Sequence, residues 1–343
     1  MPQPSIGQVH IDAILTNISV AYMQQEQNFI ADKVFPIVPV DKRSNKYFIY
    51  TKNDWFRDEA TRRAPGTESS GSGYGLSSDT YSCDVFAFHK DVDDQTLANS
   101  DTPLNPLRDA AEFVARRLML RRENQFVADY LSATGTSGTQ TSNWGTTWGF
   151  TSTGTATSPV VGAGTAATNG RQWSDLANSD PIDNIEAAKQ TILSTTGMLP
   201  NTLVMGYPVY RALKNHPDLI DRIKYTTRDN LTTDVMAKLF DVDRVIVSMS
   251  VNATNNEGAT AAYGFTAGKH ALLCYVAPNP GLLQPSAGYQ FSWTGVSGGL
   301  GANIGTSQFR MESLKSTRVE AEMAFDNKIV AADLGFFMAD LVA

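Results

Sequence analysis

Residues 57–80 read RDEATRRAPGTESSGSGYGLSSDT, and they stand between two strand-like runs, YFIYTKNDWF at 47–56 and YSCDVFAFHK at 81–90. Charges come first, then Gly and Ser, with almost nothing apolar to bury. A structureless stretch of this length is uncommon inside a compact domain and points to a functional segment. So polar a hairpin tip has nothing to bury on its own small body. The sequence therefore predicts an arm that reaches across a neighbouring subunit. In the first run Tyr47, Ile49 and Thr51 face opposite Phe48 and Tyr50; in the second Cys83, Val85 and Ala87 face opposite Phe86 and Phe88. Apolar groups on both faces suit a hairpin that becomes covered on both sides. The candidate contact residues of the arm are Trp55, Arg57, Arg62, Arg63 and Tyr74, with Arg62 and Arg63 meeting acidic groups on the adjacent subunit in preference to nucleic acid.

Upstream, residues 1–40 alternate short apolar runs with polar stretches and finish on FPIVPV. Pro36 and Pro39 fix φ and remove donors, which predicts an extended N-terminal arm lying on another surface and not inside a sheet. Downstream, the sequence predicts a helix over 106–131. Asn105 suits the N-cap and Pro106 the first helical position. Phe113, Leu120 and Val127, beside Met119 and Phe126, make one apolar stripe. At about 1.5 Å per residue the rod spans roughly 39 Å, long for a domain of this size.

Arg116, Arg117, Arg121 and Arg122 crowd two turns of that helix, and on a helical wheel Arg117, Arg121 and Arg122 point away from the stripe. Two readings stand. Ion pairs are one, since Glu112 precedes Arg116 by four residues and Glu123 is close. A surface facing nucleic acid is the other.

Residues 132–170 turn abruptly to Gly, Ser, Thr and Ala, with Trp144, Trp148 and Phe150 set among them. So little core material predicts either an exposed ordered loop or a partly mobile one, and the tryptophans favour order through packing on a neighbour. Beyond it the pattern is mixed. Asp180-Pro181 opens a helix with Ile182, Ile185, Ala188 and Ile192 inward and Gly197 at its end. Strands are expected over 202–205, 244–251, 261–265 and 271–277, with short helices over 208–215 and 233–240. Residues 318–325 alternate, with Val319, Ala321, Met323 and Phe325 on one side and Arg318, Glu320 and Glu322 on the other. A turn at Asp326-Asn327 and a return strand over 328–338 complete the reading.

The whole chain has 343 residues, 42% hydrophobic and 18% charged, which is ordinary for a folded protein with one elongated core or two. A net charge of −7 gives no general affinity for nucleic acid, so such contact must be local, weak, salt-sensitive and blind to sequence. No run approaches the ~20 apolar residues of a membrane span. The N-terminus lacks the basic and apolar regions of a secretion signal. Cys83 and Cys274 stand far apart and read as reduced, partly buried thiols.

The sequence offers no active site. Residues 295–299, GVSGG, match the G-x-S-x-G elbow, but the following Gly-rich stretch makes no stable helix and every histidine precedes Ser297. Residues 264–270, GFTAGKH, are one residue short of a phosphate loop and place His270 where Ser or Thr belongs. His216-Pro217-Asp218 and His10-Ile11-Asp12 each offer two metal ligands without a third. The sequence predicts no enzyme, no metal and no cofactor.

Three stretches carry a family resemblance: FIADKVFPIVPVDKRSNKYFIYTKNDWFRDEATRRAPGTES at 29–69, NSDPIDNIEAAKQTILSTTGMLPNTLVMGYPVYRALKNHPDLIDRIKY at 178–225, and VEAEMAFDNKIVAADLGFFMADLV at 319–342. In that order they resemble a tailed-phage major capsid protein of the Hong Kong 97 type. The likeness covers nearly the whole chain except 132–170. The resemblance implies an α+β fold with an N-arm (1–40), a long two-stranded extended loop (41–95), a peripheral domain with a spine helix (96–178), an α/β axial domain (179–300) and closing strands of the peripheral domain (301–343). It further implies hexamers and pentamers of an icosahedral shell around double-stranded DNA, located in the virion and assembled in the bacterial cytoplasm. A separate scaffolding protein, a portal and a decoration protein are the implied partners, with no membrane. Relatives that crosslink join a loop lysine to an asparagine; Lys46, Lys52, Asn303 and Asn327 are present, and nothing in their spacing singles out a pair. Encapsulins share the fold and are the alternative; a soluble α/β binding or hydrolytic protein is the other.

Overall fold

The computed structural model describes residues 24–100, 105–136, 139–151, 167–224, 231–256, 258–281, 284–296 and 304–343. Two sheets organise them. The first is built around the strand Ser316–Ile329, whose residues 316–325 pair antiparallel with Asp84–Asp93 on one side. Gly305–Met311 pairs with residues 316–322 on the opposite side, and Gly288–Trp293 pairs with residues 325–329. The order thus runs Ile37–Val40, Gly288–Trp293, Ser316–Ile329, Gly305–Met311, with Ile37–Val40 parallel to Gly288–Trp293 at the edge. The expected alternation is present. Val319, Ala321, Met323 and Phe325 are buried on one face, against Ala110, Val114 and Leu118 of the helix Pro106–Tyr130.

That helix starts where its cap residues place it, the Asn105 side chain accepting the Arg108 N–H at 3.2 Å. Its apolar stripe is not the expected one. Ala110, Val114 and Leu118 face the first sheet, while Phe126, Val127 and Tyr130 enter the main core. Phe113 is exposed and Leu120 only half-buried. A seven-residue repeat of large residues misled the wheel, because the contact face is built on small Ala and Val at four-residue steps.

The second sheet orders its strands as Arg244–Ser248, Thr202–Gly206, Ala271–Cys274, Gly335–Ala339, Thr146–Thr151 and Ala167–Arg171. The helix Pro181–Thr196 packs against it through Ile182, Ile185, Ala188 and Ile192. Asp180 caps that helix by accepting the N–H groups of Ile182 and Asp183 at 3.1 and 3.0 Å, and Gly197 ends it in the left-handed conformation at φ 70°. The shorter helices Tyr207–Lys214 and Thr233–Leu239 form where expected.

Several expectations are corrected. The run 81–90 does not mirror 47–56. Ser44–Tyr50 pairs with Leu76–Ser82, from Ser44 opposite Ser82 to Tyr50 opposite Leu76, and Asp84–Asp93 joins the C-terminal strand instead. The long strand offers that segment ten paired backbone positions, although only Val92 of it is buried and Phe86 half-buried. Asp326-Asn327 is no turn: the strand runs through it to Ile329, pairing Asp326 with Phe291 and Asn327 with Gln290. Sheet pairing overrides the local turn preference. The return strand is only Gly335–Ala339, and it lies inside the second sheet, not among closing strands of the first.

Residues 24–40 also depart from a free arm. Ile30, Ala31, Val34 and Phe35 are buried in the main core, and Ile37–Val40 is a sheet edge, the one place where Pro39 costs no ladder bond. Phe35 meets Phe126, Tyr130 and Trp144 at ring-centre distances of 5.1, 5.0 and 6.2 Å. The tryptophans of the Gly/Ser/Thr stretch accordingly pack on their own chain. Trp144, Trp148 and Phe150 are buried, and Trp144 Nε1 donates to the Tyr130 carbonyl at 2.8 Å.

Candidate assembly surfaces

The arm is the most exposed part of the described chain. From Trp55 to Thr80 every residue is exposed, and Trp55, Phe56 and Tyr74 keep 58%, 62% and 64% of their surface open. Two bonds close its neck: the Thr51 N–H donates to the Gly75 carbonyl at 3.1 Å, and the Gly75 N–H to the Asp54 carboxylate at 2.7 Å. The short helix Lys52–Trp55 sits just inside. Tyr50, Trp55 and Tyr74 then form a ring triangle with centre distances of 6.2, 6.0 and 5.8 Å. The structure thus brings Trp55 and Tyr74 together. Arg57 pairs with Glu59 at 3.2 Å within the tip, Arg63 donates to the Thr67 carbonyl, and Arg62 is exposed. Lys52 forms an ion pair with Asp333, and Phe56 lies over Gly197, so the arm's neck leans on its own subunit while the tip stands clear.

The basic helix residues divide. Arg117 and Arg121 are exposed, their guanidinium groups lying 5.1 Å from the Phe113 ring centre and 5.0 Å from that of Phe86. Lys90 Nζ covers Phe113 from the strand side at 5.4 Å. Stacked in this way, each guanidinium keeps its N–H edges outward. Arg122, expected on the same outer face, is only 4% exposed and pairs with Asp32 at 3.4 Å. It follows Val114 and Leu118 by steps of four residues and so points inward with them. Arg116 donates to the Gln24 carbonyl instead of pairing with Glu112, which meets Arg108 at 3.4 Å.

Glu123 was read as a surface ion-pair partner, and it is fully buried. Its carboxylate accepts the N–H groups of Ile30 and Ala31 and the hydroxyls of Ser248 and Ser250. Burial raises its pKa, and the two N–H bonds oppose that rise. The sequence signal was a single acid beside a buried arginine, indistinguishable from a solvated pair.

Among the described residues one constellation resembles a catalytic one. His216 Nε2 lies 2.9 Å from Ser179 Oγ, and Nδ1 lies 3.5 Å from an Asp218 carboxylate oxygen. The hydrogen bonds assign different roles. Ser179 Oγ donates to the Asp175 carbonyl at 2.7 Å, so Nε2 carries the proton and donates to Ser179. Nδ1 then accepts the Asp218 N–H at 3.4 Å, capping the helix Pro217–Ile223. His216 is wholly buried and cannot take a proton from that serine. His270 Nδ1 likewise accepts the Asp340 N–H at 3.2 Å. Among the described residues no group of three His, Cys, Asp or Glu could hold a metal ion, and Cys83 and Cys274 are buried and unbridged. Ser297, Asn303, His10 and Asp12 lie outside the described residues.

The described residues form a mixed α+β body with an exposed aromatic arm. A family model described as phage capsid protein matches residues 86–331. The major capsid protein of Burkholderia phage BcepMu is 26% identical over 337 residues, covering 96% of each chain. A phage-related protein from Bordetella bronchiseptica RB50 superposes with a TM-score of 0.64 at 23% identity, covering 93% of each chain. The capsid of Cyanophage P-SCSP1u gives 0.59 at 10% identity, covering 98% of this chain and 95% of that one. The chain belongs to the phage capsid protein family. Its function is that of a major capsid protein, a structural subunit that oligomerises into the shell of a phage virion.

Proposed function

We propose that copies of this chain join as hexamers and pentamers of an icosahedral shell enclosing double-stranded DNA, each arm lying on a neighbouring copy. One observation carries the reading: residues 55–80 are exposed throughout, although they include Trp55, Phe56, Tyr74 and Leu76. Single exposed apolar residues are ordinary, but a clustered set at an arm's neck marks an interaction site. The contact residues are Trp55 and Tyr74 at the neck with Arg57, Arg62 and Arg63 at the tip. The helix Pro106–Tyr130 then serves as spine, the first sheet as the peripheral domain, and the second as the core of the axial domain. The role is structural and not enzymatic. Assembly takes place in the bacterial cytoplasm with a separate scaffolding protein and a portal, and a decoration protein can join the finished shell.

Arg117 and Arg121 offer the DNA backbone a contact blind to sequence. Arg122 does not share it, being buried against Asp32. Electron microscopy of the purified full-length chain tests the main reading. Closed shells are the expected result; a monomer that persists at high concentration would overturn it.

A further inference from the structure

Beside the second sheet lies an aromatic surface that the described residues leave open. A Cβ on Gly206 would stand 2.1 Å from the Gly268 carbonyl oxygen, so only glycine lets the end of the strand Thr202–Gly206 approach that turn. This closeness sets Tyr207, the next residue, against Phe265, with ring centres 5.4 Å apart and planes 27° from parallel. Tyr210 adds a second ring at 6.2 Å from Tyr207. Phe265 belongs to a hairpin of three residue pairs, Val251–Ala253 with Tyr263–Phe265. So short a hairpin has little capacity to bury aromatic groups by itself. Tyr263 keeps 73% of its surface exposed, Phe265 46% and Tyr207 38%. In the sequence from 251 to 265 the single charged residue is Glu257.

We infer that Tyr207, Tyr263 and Phe265 form a contact surface for a second copy of this chain, separate from the arm. Loss of charge with enrichment in tyrosine and phenylalanine is the composition of a protein–protein interface core and not of a phosphate-binding one. A copy of the same chain is the occupant because the family works by self-association. A patch that meets a different surface on the next copy makes a head-to-tail contact, and such contacts close into a ring where the rotation between copies permits. The inference rests on the shell reading and adds the surface through which neighbours within one ring meet.

Two variants, and hydrogen exchange of the unaltered full-length chain, test it. Tyr263→Lys changes a mostly exposed side chain, and Tyr263→Ser with Phe265→Ser removes the patch. Unfolding transitions establish that each subunit is folded, and sedimentation reads the assembled fraction, expected to fall about tenfold or more. Hydrogen exchange at residues 251–256 and 263–266 is expected to slow on assembly of the unaltered chain. Wild-type yields of shells from folded variants, or equal exchange in free and assembled protein, would overturn the surface alone. An unaltered chain that stays monomeric would overturn the shell reading and this surface with it.

Discussion

The carboxylate of Glu123 accepts the backbone N–H of Ile30 at 2.9 Å from a position fully shielded from solvent, and it holds the Ala31 N–H at 3.0 Å with the same oxygen. These are the donors at the start of the short helix Ala31–Val34. The other oxygen faces Ser248 and Ser250 at 3.4 and 3.3 Å. One side chain of the long helix thus ties the N-terminal segment to the end of the strand Arg244–Ser248. Glu123→Ala orphans two buried N–H groups, so a loss of roughly 2–5 kcal/mol in unfolding free energy is expected. Denaturant titration measures it, and a loss below about 1 kcal/mol would contradict the role.

The same residue sets a pH dependence. Burial raises its pKa, and the bonds from Ile30 and Ala31 only partly oppose the rise. A carboxyl raised in the folded state favours folding while protonated; that contribution is full below the ordinary carboxylate range and is lost as pH rises through the raised value. Glu123→Gln has nothing to titrate there. Wild-type stability minus that of the variant should therefore decline with rising pH across this window. Parallel pH profiles for the two proteins would exclude it.

Arg122 should behave unlike its neighbours. It is buried, meets Asp32 at 3.4 Å, and its Nε and Nη1 find no acceptor among the described residues. A buried cation so thinly paired often gives way to an apolar residue of similar length at no cost. Arg122→Met is expected to leave stability unchanged or raise it by about 1 kcal/mol, read from thermal unfolding. A clear loss would mean the ion pair is worth more than its desolvation.

Arg117→Glu with Arg121→Glu tests the outer face. Both side chains lie on aromatic rings in solvent, so the double change should alter unfolding free energy by no more than about 1 kcal/mol. It should lower the yield of filled particles. Unchanged yield would remove these residues from the DNA or intersubunit surface.

The legible parts of the fold were those where local chemistry and tertiary packing agree. Asn105-Pro106 and Asp180-Pro181 start helices because cap and ring restraint act before any packing. The alternation of 318–325 survived because one face is buried. What stayed hidden depended on distant partners. Nothing local tells residues 84–93 to leave the arm for residues 316–325, or turns Asp326-Asn327 into strand. Trp144 looked like loop material until Phe35 and Tyr130 surrounded it. Of the candidate contact residues, the exposed arm was readable from composition alone. Arg122 was not, since one helical position separates it from Arg121 and the stripe chosen on the wheel was wrong.

The arm itself can be excised without strain. Trp55 and Tyr74 have ring centres 6.0 Å apart, so the chain returns to its starting point after the tip, and Arg57 can be joined to Tyr74 through a short Gly-Ser link. The deleted residues 58–73 are wholly exposed and contribute nothing to any buried cluster. The subunit should therefore unfold within about 0.5 kcal/mol of the wild type, as exposed changes away from packed features do. Assembly should respond in the opposite way if, as proposed, the removed length spans to the next copy. Closed shells are expected to disappear from micrographs while folded subunits accumulate in sedimentation. Normal shells from the deleted chain would show that the tip is ornamental, and the intersubunit role would then fall to the neck aromatics Tyr50, Trp55 and Tyr74 alone.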